Sequence, residues 1–196
     1  MITIDQANKI NHDVREHFRY GYKSGNKVYS LVYGSKSYER KNYRNDHALD
    51  ADTCIEMQRT DSFTVHDMIA MPPEERAGNC QEYTDLAVYF ATNIDLVSTI
   101  WVFGCDEYPE DESTDGVSHT FCVFNLSVIP NNLPRLNNMS SANFPSDAIV
   151  CDPWANIVCL CADYPRKLRN KVFKWYVSGK NIHLRMQPIS AIEWGA

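Results

Sequence analysis

Apolar side chains recur at helical spacing in three parts of the chain. Ile4, Ala7, Ile10, Val14 and Phe18 form one stripe. With Thr3 and Gln6 as a capping box, they predict a first helix ending near Tyr20 to Gly25. Tyr83, Leu86, Ala87, Phe90 and Ile94 form a second stripe. Asn79 is its N-cap and Glu82 the reciprocal capping-box residue, so Cys80 becomes the first residue of a buried amphipathic helix. Gly78 supplies a flexible turn ahead of that cap. Leu168, Val172 and Trp175/Tyr176 mark a third helix, with Pro165 in its first turn and Gly179 as its C-cap. A short helix is expected over 64–70, ended by Pro72 and Pro73.

Strand-like runs cover Val28 to Tyr33, Thr99 to Cys105, Ser118 to Val128, Ala148 to Asp152 and Ile182 to Met186. Ile157 to Cys161 reads as another strand or an irregular continuation. The polar, Tyr-rich stretch 34–52 supports no assignment. An acidic loop, Asp106 to Asp115, and a segment rich in Asn, Pro and Ser, 130–147, separate successive strands. Helices first and an antiparallel strand set afterwards predict an α+β fold.

Composition narrows the function. The chain has 196 residues, enough for a real core, with 44% hydrophobic and 22% charged residues. Nineteen basic against 25 acidic residues give a net charge of −6, which speaks against a nucleic-acid partner. Lys36, Arg40, Lys41 and Arg44, interleaved with Tyr38 and Tyr43, read as a solvated surface segment rather than a binding patch. No apolar run approaches about 18 residues, so no membrane-spanning helix is expected. The opening MITIDQANKINHD has neither the basic nor the apolar region of a Sec-type signal peptide. Seven cysteines, an odd number without a CxxC pair, lie mostly in apolar runs. Free thiols in a reducing compartment are expected, rather than a disulfide scaffold. Only Cys159-x-Cys161 hints at metal or redox chemistry, with no nearby His, so neither metal nor cofactor is expected.

Cys80 has a placement the other cysteines lack. Unpaired N–H groups and the helix dipole at a helix start favour the thiolate, the nucleophilic form. An imidazole beside it can deliver a proton to the leaving group. His119 opens an apolar strand in Val-Ser-His-Thr-Phe-Cys, at the border with the acidic loop. Its rivals fall on earlier helices (His12, His17, His66), in the polar stretch (His47) or near the C-terminus (His183). Asp152 ends the run Ala-Ile-Val-Cys, where a carboxylate can hold an imidazole in one tautomer. Trp154 either covers that pair or is core. The backbone N–H of Cys80 and the side chains of Asn79, Gln81 and Asn156 are the oxyanion candidates.

The ordered set Gly-Asn-Cys-x-Glu, Ser-His-Thr-Phe and Val-Cys-Asp-Pro-Trp-Ala resembles the papain-like and transglutaminase-like Cys-His-Asp superfamily over roughly 76–165. It is similar above all to bacterial effector glutamine deamidases related to dermonecrotic toxins and to Yersinia-type effector cysteine proteases. The resemblance implies a papain-like core over 71–196, its Cys-bearing helix packed on an antiparallel sheet. Residues 1–70 would be a helical extension or a substrate- and partner-recognition region. Carried over by position, Cys80 is nucleophile, His119 base and Asp152 orienting acid.

Two features depart from the pattern. His119 and Asp152 are 33 residues apart, longer than a transglutaminase hairpin, and no glutamine stands just upstream of Cys80 at the papain oxyanion position. The second favours deamidation over proteolysis. The expected activity is therefore cysteine-dependent deamidation of a protein glutamine, by a bacterial effector or toxin made in the cytoplasm and delivered to a host or target cell. A cysteine protease or a transglutaminase would carry the same triad. A catalytically silent binding module using 1–70 is the alternative of another class.

Overall fold

The computed structural model describes residues 1–22, 42–43, 46–94, 99–105, 119–127, 144–177 and 190–194. Helix α1 (Ile4–His17) starts at the expected capping box: Thr3 Oγ1 accepts from the Gln6 N–H, and Gln6 Oε1 from the Thr3 N–H at 2.8 Å. It stops at His17, a turn short of the expected end. The Arg76 guanidinium reaches the His17 carbonyl at 3.2 Å and satisfies one of the acceptors a helix end exposes. Helix α2 (Ala48–Gln58) lies partly in the stretch that resisted assignment. Helix α3 (Val65–Ala70) is the short element expected over 64–70, capped by Thr64 and Asp67. Helix α4 (Cys80–Thr92) opens at Asn79, whose N–H donates to Glu82 Oε2 at 2.8 Å.

Five strands then form one antiparallel sheet: β1 (Ile100–Cys105), β2 (His119–Phe124), β3 (Ile149–Asp152), β4 (Ile157–Leu160) and β5 (Ser190–Trp194), in the order β4-β3-β2-β1-β5. Between β4 and β5 comes helix α5 (Tyr164–Val177), with Pro165 in its first turn. The molecule is thus α+β, as its pattern predicts. β5 is an addition to the sequence reading. The expected strands Val28–Tyr33 and Ile182–Met186, the basic segment up to Lys41, the acidic loop, residues 130–143 and Gly179 lie outside the described residues.

The sheet is covered on both faces, and strand periodicity sorts its side chains. Trp101, Phe103, Phe121, Val123, Val150 and Cys159 point to one face, into a cluster that α5 closes with Leu168 and Trp175. Val102, Cys122, Phe124, Ile149 and Cys151 point to the other, where Ile2, Ile10, Val14 and Phe18 from the N-terminal segment and Leu86, Ala87 and Ala91 of α4 meet them. Asn125 ties the chain start to the sheet: it accepts from the Ile2 N–H and donates to the Ile2 carbonyl, each at 2.8 Å. Among the described residues no helix is long and apolar enough to cross a membrane.

Candidate active site

His119 is the first residue of β2 and Asp152 the last of β3. The β2–β3 register pairs Cys122 with Cys151. Carried one step further, it sets Phe121 opposite Asp152 and His119 two residues beyond, on the same face. Such diagonal neighbours are within reach across an antiparallel pair. His119 Nε2 lies 2.9 Å from Asp152 Oδ2. Both side chains are buried, at 1% and 0% exposure.

The Asp152 carboxylate is fully engaged. The Tyr164 hydroxyl donates to Oδ2 at 2.7 Å, and the Ala155 N–H donates to Oδ1 at 2.9 Å. Burial works against ionisation, but the His119 charge and hydrogen bond, the Ala155 N–H and the Tyr164 hydroxyl outweigh it and hold the carboxyl below its usual range. For His119, burial favours the neutral ring, yet the Asp152 charge and hydrogen bond, with Cys80 adding to them, push it well above the ordinary imidazole value. Both shifts favour the charged forms, imidazolium and carboxylate.

Cys80 completes the group. Its side chain is near enough to the His119 ring to add to the upward push on that imidazole. Most of α4 packs on the opposite face of the sheet, but Cys80 at its first position belongs to the cluster that holds Phe121 and Trp154. Thr84 Oγ1 donates to the Thr120 carbonyl at 3.0 Å and pins the helix start to the strand next to His119.

Aromatic rings enclose the imidazole. Trp154 lies 5.1 Å from it and Phe121 5.9 Å, centroid to centroid, and Tyr164 packs on Phe121 at 4.7 Å. Trp154 thus lies against the His119 ring and belongs to the core, edge-on to Trp175 at 5.4 Å. Gln81 is turned along its own helix, donating to Asp85 Oδ1 at 2.7 Å. Asn156, in the β3–β4 turn with φ of 57°, accepts from Asn11 of α1 at 2.9 Å. Asn79 stands at the cap, directly before Cys80.

Four contributors escaped the sequence reading. Tyr164 left no signal, since a Tyr before Pro reads only as a helix start. Arg59 forks onto the buried Glu82 at 2.8 and 3.4 Å, in the first turn of the helix that Cys80 opens. Gln58 donates to the Ala77 carbonyl at 2.9 Å. Arg76 donates to the carbonyls of Met71, Ile69 and His17, so one guanidinium holds the loop that delivers Cys80.

Burial pushes Cys54, Cys122, Cys151 and Cys161 up and Cys159 up to about 11. Cys122 and Cys151 donate to backbone carbonyls of α4 and α1. Cys159 and Cys161 lie in the core cluster, and among the described residues no group of His, Cys, Asp and Glu could hold a metal ion. Comparison with protein-family models, with curated proteins and with solved structures finds no match.

Proposed function

We propose that the chain is a cysteine-dependent amidohydrolase with a papain-like core that deamidates a glutamine side chain of a protein. The observation that supports this is the grouping of Cys80, His119 and Asp152: a thiol at a helix N-terminus, beside an imidazole whose Nε2 is held by a buried carboxylate at 2.9 Å. Cys80 Sγ attacks the carboxamide carbon, and the developing oxyanion meets the Cys80 backbone N–H. The proton on His119 Nδ1 goes to the departing nitrogen, which leaves as ammonia. Water, relieved of a proton by the same nitrogen, then attacks the thioester, releases glutamate and regenerates the thiol. Asp152 keeps the ring oriented throughout and compensates its charge. The resemblance to effector deamidases adds the setting, a bacterial effector or toxin acting in a target cell.

Burial of the triad, with Cys80 6% exposed, favours the second reading, a silent binding module. One experiment separates the two. Wild type and Cys80→Ala are incubated with a target-cell lysate, and proteins are searched for glutamine-to-glutamate conversion and for new N-termini. Conversion with wild type alone supports deamidation, and new N-termini would mean proteolysis. Identical lysates would sink both enzymatic readings.

A further inference from the structure

Away from the triad, α1, the β3–β4 turn and α5 enclose a groove of about 390 Å³. Lys167, Lys171 and Lys174 line one wall, and Asn8, Asn11 and Asn156 line the other. The lysines are four and three residues apart, so they share one face of α5. Among the described residues no carboxylate lines the groove. Helix α5 carries Arg166, Lys167, Arg169, Lys171 and Lys174 without an acidic residue, in a chain whose net charge is −6. Arg166 is engaged by Asp163 at 2.8 Å, whereas Lys167 and Lys174 form no ion pair among the described residues. Concentrating cations of one sign in a concave site, against the charge of the whole chain, favours an anionic ligand.

A second observation says what else that ligand carries. Asn11 is buried, at 9% exposure. Its amide nitrogen donates to Asn156 Oδ1 at 2.9 Å, and its own Oδ1 has no hydrogen-bond partner. With the Asn156 amide as placed, turning the Asn11 amide over would set oxygen against oxygen. A buried acceptor without a donor costs free energy until something supplies one. A hydroxyl group placed beside a phosphate on the lysines would do so.

We propose that this groove binds a phosphate monoester borne on a polyhydroxylated carbon frame, the lysines taking the phosphate and Asn11 Oδ1 a hydroxyl. Free sugar phosphates and phosphorylated inositol lipid headgroups share this chemistry. The site is independent of the proposed amidohydrolase activity.

Calorimetric titration of the full chain with glucose-6-phosphate, inorganic phosphate and glucose tests it, beside co-sedimentation with phosphatidylcholine vesicles containing a phosphatidylinositol phosphate. The same measurements on Lys167→Gln/Lys174→Gln, two exposed positions, locate the site, with circular dichroism confirming its fold. The expected result is that the sugar phosphate binds more tightly than inorganic phosphate, that glucose does not bind, and that affinity falls about tenfold or more in the double variant. Vesicle binding lost in that variant, with no response to the soluble ester, would support the same site with the lipid as its source. If neither ligand binds, or if the double variant binds unchanged, the proposal is overturned.

Discussion

Asp152 accepts hydrogen bonds from a ring nitrogen, a hydroxyl and a backbone N–H, so its ionised form is the one the fold selects. The sign of its pH dependence follows. The lowered carboxyl contributes stability above its ordinary value of 3.8 that is lost as pH falls through the folded value. The raised His119 contributes stability fully present below its ordinary 6.5 and lost as pH rises through the folded value. Wild type should therefore exceed a His119→Phe variant most between those two ordinary values. Urea denaturation across pH measures this, and a difference that grows on either side of the window would contradict it. Tyr164→Phe removes a hydrogen bond to a charged group, worth about 1.5–3 kcal/mol, and should slow turnover without abolishing it. Cys80, His119 and Asp152 could be singled out in the sequence because the proposed chemistry restricts its groups to few residue types in characteristic settings. Tyr164 could not, because its part depends on which way one ring points in the folded core.

At the scale of elements, capping and periodicity carried the reading. Thr3 with Gln6 and Asn79 with Glu82 mark helix starts through bonds made within one turn, so neighbours in sequence suffice. α2 was illegible because Ala48–Gln58 has only a weak apolar face, and it is held instead by distant partners, Arg59 to Glu82 and Gln58 to Ala77. α4 carries a penalty at its first turns. Asp85 is largely buried there, and burial, partly offset by the Gln81 amide, raises its carboxyl to about 6. A raised acid binds its proton more tightly when folded, so this site loses stability as pH rises from 3.8 through about 6. Asp85→Asn should gain roughly 1–2 kcal/mol at neutral pH and almost nothing at pH about 4, as thermal unfolding at the two pH values would register. Gly21 meets a different constraint. A Cβ there would fall 1.8 Å from the Arg76 carbonyl oxygen, so Gly21→Ala must displace the loop leading to Cys80. Lower stability and lower Cys80 reactivity together are the expected outcome.

Over the whole molecule, the sheet is a partition. One face holds α1 and α4, the other holds α5 and the candidate site, and His119 and Asp152 point to the second because both occupy positions in step with Phe121 and Val150. The N-terminal segment contributes Ile2, Ile10, Val14 and Phe18 to the first face. Burying four large apolar side chains stabilises by about 6–12 kcal/mol, comparable with the whole stability of a domain. Deleting residues 1–18 should therefore leave a chain without a cooperative unfolding transition, whatever else 1–70 does. A shortened chain melting near the full-length temperature would refute that. Sequence pattern predicted the α+β class and the antiparallel sheet. It did not reveal that α1 belongs to the sheet's core, since stripes on separate elements do not say which meets which.

The central claim is the coupling of Cys80 to His119, and alkylation tests it most directly. Iodoacetamide labelling of each cysteine, followed by peptide mass spectrometry at neutral and mildly acidic pH, would be run on wild type and His119→Ala. Cys80 should react far faster than the other cysteines, and that advantage should vanish in the variant. Equal reactivity of Cys80 and the structural thiols, or indifference to His119, would contradict the catalytic account.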